Sequence, residues 1–249
     1  MRHQIVKIGT KCLFDKNDKV DYPAISTKVR EIIDYDSKHG TFTTLVVSGA
    51  VEFGRRKLNE QKSKDHKVMQ RQAGAGQMSL MGIYESMFEN YGKFIMPMLL
   101  TYNELENMPD DICRSVKENS RSGLYVIVNY NDATDFREVQ YDNDTLAAEI
   151  LTHCRSEQLI ILGRYNGIMD REYAIPVIND TSDFMHCDNG DDPEYGRGGF
   201  LKKMEAGQTV IDAGKKMIVG HVESPLESLI SGCCERTLFM PKYLNNEPE

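Results

Sequence analysis

Apolar residues along this chain fall into two alternating patterns. Short β-branched or apolar runs at residues 4–8, 42–47, 94–100, 124–128, 158–162 and 216–220 are bounded by glycine or polar residues and predict strands. Between them lie longer stretches of helical period. Across residues 23–40, Ile25, Val29, Ile32 and Ile33 share one face, with Pro23 near the start and Gly40 as a stop. A longer helix is predicted over about 68–91, where Met81, Tyr84, Met87, Phe88 and Tyr91 form a stripe that reads as core packing. Two more helices are predicted over about 143–153 and 201–213. Ser224, Pro225 and Glu227 spell an N-cap, a first-position proline and a capping box for a last helix. This alternation predicts βαβ units around a mostly parallel sheet.

Residues 178–196 are acidic, rich in Asn, Asp and Gly and poor in large apolar side chains, so they read as a loop. No repeat or change of composition divides the chain, and a single domain over 1–249 is expected, with a short tail from about 240. No apolar run is long enough to cross a bilayer, and no export signal precedes the first strand. The net charge of −8 argues against a general affinity for nucleic acid, so an anionic substrate must be met by a few local cations. Six scattered cysteines form no CxxC pair and no zinc-like spacing with histidine. Reduced cytoplasmic thiols are expected, with neither a disulfide framework nor a metal-ligating set of side chains.

There is no GxxxxGK[ST] loop, no GxGxxG after a strand, no HExxH and no GxSxG. What remains are four polar or glycine-rich segments where predicted strands and helices meet, the edge at which open parallel sheets place ligands. In Lys7-Ile8-Gly9-Thr10 the lysine either snorkels at a strand end or points at a phosphate, and the glycine lets a backbone N–H come close. Ser48-Gly49-Ala50, after the second strand, permits tight packing or leaves donors free for an anion. Asn129-Tyr130-Asn131-Asp132 and Asp142-Asn143-Asp144 bracket one excursion; Asp142 or Asn143 suits a helix cap, yet two clusters exceed what capping needs. Finally, Gly196-Arg197-Gly198-Gly199 feeds Lys202 and Lys203 into a helix N-terminus, where lysine opposes the macrodipole unless an anion is bound.

Taken in order, KIGT, VSGAVEFGRRKL, RQAGAGQMSLMGIYE, LLTYNELEN, VNYND, YDNDTLAAE, GRGGFLKK and RTLF resemble the glutamate 5-kinase family along nearly the whole chain. The resemblance implies an α/β fold of the amino acid kinase type, a three-layer α/β/α sandwich with a mostly parallel central sheet. It implies ATP-dependent, Mg²⁺-assisted phosphorylation of the γ-carboxylate of L-glutamate, the first step of proline biosynthesis, by a homo-oligomer. The acyl-phosphate product would pass to a reductase, and proline would compete near the amino acid pocket. A kinase domain without the family's common C-terminal PUA domain is expected.

Residue by residue, the resemblance makes Lys7 and Lys203 the lysines that neutralise the transferring phosphoryl group and Asp144 the carboxylate that positions them. Gly9, Thr10, Gly49, Gly163, Arg164, Arg197, Gly198, Gly199 and Lys202 fall at nucleotide positions. Ser48, Gly49, Ala50, Asn129, Asp132, Asp142 and Asn143 fall in the amino acid pocket. Three departures stand out: Gly163-Arg164 replace a Thr-Asp pair, Tyr130 replaces a glutamate, and Arg197 replaces a threonine beside the extra Lys202. Arg164, Arg197 and Lys202 are expected to compensate by gripping phosphates. Tyr130 favours a kinase of a glutamate analogue as the alternative, and the departures together keep a weakened, ligand-binding regulatory relative in view.

Overall fold

The computed structural model describes residues 2–134, 142–187 and 199–246. All six predicted strands form: β1 (Arg2–Ile8), β2 (Thr41–Val47), β3 (Phe94–Leu100), β4 (Leu124–Tyr130), β5 (Gln158–Gly163) and β9 (Lys216–His221). Four shorter strands, β6 (Met169–Asp170), β7 (Tyr173–Ala174), β8 (Val177–Ile178) and β10 (Thr237–Phe239), carry too few residues to show alternation in the sequence. The main sheet runs β3-β4-β2-β1-β5-β9-β10-β8, and β6 pairs with β7 as a separate hairpin. Every pairing in the main sheet is parallel except β9 with β10. The innermost strand, β1, is covered on both faces and buried from His3 to Ile8, so that even its polar His3, Gln4 and Lys7 are enclosed.

Among the described residues eight helices flank the sheet: α1 (Tyr22–His39), α2 (Ala50–Lys57), α3 (His66–Glu89), α4 (Tyr102–Asn107), α5 (Pro109–Arg121), α6 (Asn143–Cys154), α7 (Gly199–Asp212) and α8 (Leu226–Ser231). One core packs Val6, Leu45 and Ile127 against Ile32 of α1 and Tyr84 and Phe88 of α3. The other packs Ile5, Val46 and Val128 against Val116 of α5, Leu146 of α6 and Met204 of α7. The expected three-layer sandwich is therefore present, its two faces filled by alternate residues of the same strands. The α2 and α3 backbones touch: a Cβ on Gly54 would lie 1.6 Å from the Gln72 carbonyl oxygen, and one on Gly76 2.0 Å from that of Ala50. Only glycine allows this approach, and it fixes where α2 begins.

Three expectations fail. No capping box opens α8: the Leu226 N–H donates to Glu31 Oε2 at 3.1 Å, while the Ser224 carbonyl accepts from buried Lys28 Nζ at 2.8 Å. The Lys28–Glu31 pair on α1 thus supplies from outside the partners that Ser224 and Glu227 were expected to supply. Residues 181–187 of the presumed loop form a 3-10 turn, anchored where Thr181 donates through its N–H and Oγ1 to Gln208 Oε1 at 3.1 and 3.0 Å; residues 188–196 lie outside the described residues. Nor are all thiols reduced, since Cys113 of α5 and Cys154 of α6 form a disulfide with Cα atoms 5.0 Å apart. Their separation in sequence concealed that these helices lie side by side. No helix among the described residues is long and apolar enough to cross a membrane.

A buried histidine gives the fold a pH dependence. His3 stacks on Phe42 and shares hydrogen bonds with Thr44 Oγ1 at 2.9 Å and Ser156 Oγ at 2.8 Å. Burial, then the charge of Lys117, pushes its pKa down to about 3. Between that value and the ordinary value near 6.5 the unfolded chain binds a proton that the folded chain refuses, so stability falls as pH drops through this window. Relative to His3→Gln, the native chain should lose about 1.4 kcal/mol more per pH unit between about pH 6 and 4. Equal slopes in urea denaturation series would show that His3 takes up its proton within the fold.

Candidate active site

The carboxyl ends of β1, β2 and β4 and the first turns of α2, α6 and α7 meet along one edge of the sheet. Lys7 stands two residues after Ile5 on β1 and so faces the same layer, that of α6 and α7. There its Nζ lies 2.5 Å from Asp144 Oδ1, in the first turn of α6. Lys203 reaches the same carboxylate from α7, with Nζ 2.9 Å from Oδ2, and also donates to the Gly199 carbonyl at 3.3 Å. One carboxylate, 1% exposed, is gripped by two cations from different elements. Burial alone would raise the Asp144 pKa, but Lys203 and Lys7 overcome it and hold the group well below the usual carboxylate range. Burial likewise opposes the charge on Lys7, and Asp144, then Asp142, outweigh it, so Lys7 sits above the ordinary lysine value. The cluster Lys7–Asp144–Lys203 carries one net positive charge in a protein-walled corner, a setting suited to an anion.

Beside it lies a neutral polar group. Asn143 Nδ2 donates to Ser48 Oγ at 2.9 Å, and Asn129 Nδ2 donates to Gln77 Oε1 at 2.9 Å. The other ends of these amides, Asn129 Oδ1, Asn143 Oδ1 and Gln77 Nε2, are buried with no hydrogen-bond partner among the described residues. Buried polar atoms rarely stay unpaired, so these two acceptors and one donor are open to a polar ligand. Gln77 was missed at the sequence level. The available signal was a polar residue at helical spacing between Ala73, Leu80 and Tyr84 in an otherwise apolar stripe.

The remaining candidates divide. Asp142 is the N-cap of α6, its Oδ1 accepting from the N–H groups of Asp144 and Thr145 at 3.0 and 2.9 Å. Burial, then the charge of Asp144, raises its pKa. Ala50 is the first residue of α2, and Gly49 before it takes a positive φ of 124°, which favours glycine. Thr10 opens a 3-10 turn, and the Gly9 N–H donates to the Leu162 carbonyl at 3.3 Å. Gly163 ends β5, Gly199 opens α7, and Asp132 sits in the turn after β4. Arg197 and Gly198 lie outside the described residues.

Two expected phosphate cations are otherwise engaged. The Arg164 guanidinium donates to the carbonyls of Lys11 at 3.2 Å and Phe14 at 3.1 Å, bracing the turn after β1, and Lys202 pairs with Glu205 at 2.6 Å one turn along α7. Nor does Tyr130 reach the amide group. At 2% exposure it lies in the core with Val126 and Val128, whereas Asn129 points through the opposite face of β4 toward α3. The residue that departs from the family pattern is a core residue, and its neighbour holds the polar position.

A model described as the amino acid kinase family matches residues 2–221. The glutamate 5-kinase of Clostridium perfringens is 31% identical over 96% of this chain and 95% of its own length. That of Caldanaerobacter subterraneus is 30% identical over 95% of this chain and 67% of its own length. Among solved structures, UMP kinase from Ureaplasma parvum superposes with a TM-score of 0.67 at 11% identity, covering 96% of this chain and all of that one. Giardia carbamate kinase superposes with the same score at 14% identity, over 97% of this chain and 99% of that one. At these identities the structures report the fold.

Proposed function

Because the chain belongs to the amino acid kinase family, we propose that it is an ATP-dependent kinase that phosphorylates the γ-carboxylate of L-glutamate. The observation that carries this reading is the gripped carboxylate, Lys7–Asp144–Lys203, set beside buried amides with free acceptors and a free donor. Asn129 Oδ1 and Asn143 Oδ1 suit an ammonium, and Gln77 Nε2 suits a carboxylate oxygen; together they would hold the amino acid end of the substrate.

A glutamate side chain has a reference pKa near about 4.3, so at neutral pH it is already an anionic nucleophile and no general base is required. The remaining difficulty is repulsion between two anions. Lys7 and Lys203 would take that charge, and because Asp144 holds both in place beforehand, little reorganisation accompanies the reaction. ATP, when bound, supplies the phosphoryl group, with Mg²⁺ spreading its negative charge. The cationic cluster fits phosphate oxygens. Both Asp144 oxygens are already taken by lysines, so Mg²⁺ would be held chiefly by the nucleotide.

The reading takes the chain as one catalytic unit on one sheet, and as a dimer or tetramer. The product is an acyl phosphate, which a reductase or another acyl-consuming enzyme would draw off. Incubation with ATP, Mg²⁺, hydroxylamine and a panel of amino acids should give coloured hydroxamate with glutamate above all others. ADP release without hydroxamate, or hydroxamate from another acid alone, would overturn the assignment.

A further inference from the structure

The β6–β7 hairpin and the 3-10 turn Thr181–Cys187 bring three metal-binding side chain types together. A carboxylate oxygen of Asp170, a ring nitrogen of His186 and the Sγ of Cys187 all lie within 4.8 Å of one another. We propose that Asp170, His186 and Cys187 form a site for one divalent transition-metal ion of the zinc class, with its fourth position left to water.

The spacing supports this. Cys187 Sγ and His186 Nε2 are 3.6 Å apart. An ion bound at about 2.3 Å to sulfur and about 2.05 Å to nitrogen in tetrahedral geometry separates those two atoms by about 3.6 Å. A thiolate, an imidazole and a carboxylate form a set that zinc accepts and that magnesium and calcium do not favour. Cys187 is 4% exposed at the margin of the core, while Asp170 and His186 are exposed and leave an entry from solvent.

The ligands also sit on independently anchored elements. Gln208 of α7 holds the turn through Thr181, and Glu235 Oε1 accepts from the Ala174 N–H of the hairpin at 3.2 Å. On binding, the Cys187 thiol releases its proton to solvent, and the thiolate and the carboxylate together balance the two positive charges of the ion. The ion would pin the hairpin to the turn that packs on α7. Such a site escapes a search by spacing, because Asp170 precedes His186 by a whole hairpin and the adjacent His-Cys matches no metal motif.

The competing account is a simple contact between thiol and imidazole. Chelator-stripped, reduced protein titrated with Co²⁺ distinguishes the two. We expect one equivalent to bind with thiolate-to-cobalt charge transfer and the intense visible bands of a tetrahedral centre. The spectrum should vanish in Cys187→Ser and persist in the double variant Cys233→Ser/Cys234→Ser. The exposed Asp170→Asn should weaken cobalt binding tenfold or more while the metal-free melting temperature stays unchanged, a readout that does not depend on how Cys187→Ser folds. Absence of stoichiometric binding, survival of the bands in Cys187→Ser, or unaltered affinity in Asp170→Asn would overturn the site.

Discussion

Replacing Asp144 by Asn is expected to abolish turnover and to destabilise the chain at the same time. The substitution preserves volume and removes the one charge that Lys7 and Lys203 share. Lys7 is 8% exposed and cannot turn to solvent, so it must lose its proton or remain as an uncompensated buried cation. Breaking a buried pair from one side costs about 3–5 kcal/mol. Loss of the lysines' placement should lower the rate by at least about 10³-fold, the upper range for removing one preorganised electrostatic contact. Urea midpoints and hydroxamate rates on the same samples test both effects. Turnover within tenfold of the native chain, or a stability loss below about 1 kcal/mol, would detach Asp144 from the role proposed for it.

Lys203→Ala should separate the two effects. Lys203 enters from the first turns of α7, and Asp144 keeps Lys7 at 2.5 Å when it is gone, so the buried carboxylate retains a partner. Stability should fall clearly less than in Asp144→Asn, because the buried carboxylate still has Lys7 as its partner. Turnover should fall about 10²–10³-fold, with the KM for glutamate little altered, because the amide group that would hold the amino acid lies elsewhere. A rate near native would exclude Lys203 from phosphoryl transfer; a raised KM at unchanged kcat would assign it to substrate binding instead.

Much of this arrangement was legible beforehand, and the boundary has physical causes. The six longer strands and the four longer predicted helices carry enough residues for period 2 or 3.6 to appear, the last predicted helix forms as the short α8, and Lys7, Asp144 and Lys203 stand at element ends. The two-residue strands cannot show a period. The helix α5, Pro109–Arg121, was passed over because few of its residues are apolar: its inward face is Ile112, Cys113, Val116 and the polar Ser120. Side-chain direction was harder still. Nothing local says that Arg164 would spend its guanidinium on two carbonyls, or that Glu31 would serve α8 in place of Ser224. Tyr130 shows the same limit: alternation along β4 sends it into one core and Asn129 toward the other face, and the strand's register settles which residue meets the site.

The Cys113–Cys154 bond has a bearing on the unfolded chain as well. It closes a ring over a separation of 41 residues, and within that ring run β4 with Asn129 and the start of α6 with Asn143 and Asp144. By loop-closure entropy, such a ring removes about 4 kcal/mol of freedom from the denatured ensemble. While the sulfurs stay joined, the amide and carboxylate parts of the site belong to one tethered arc, so the ends of that arc start the search for the native state already together.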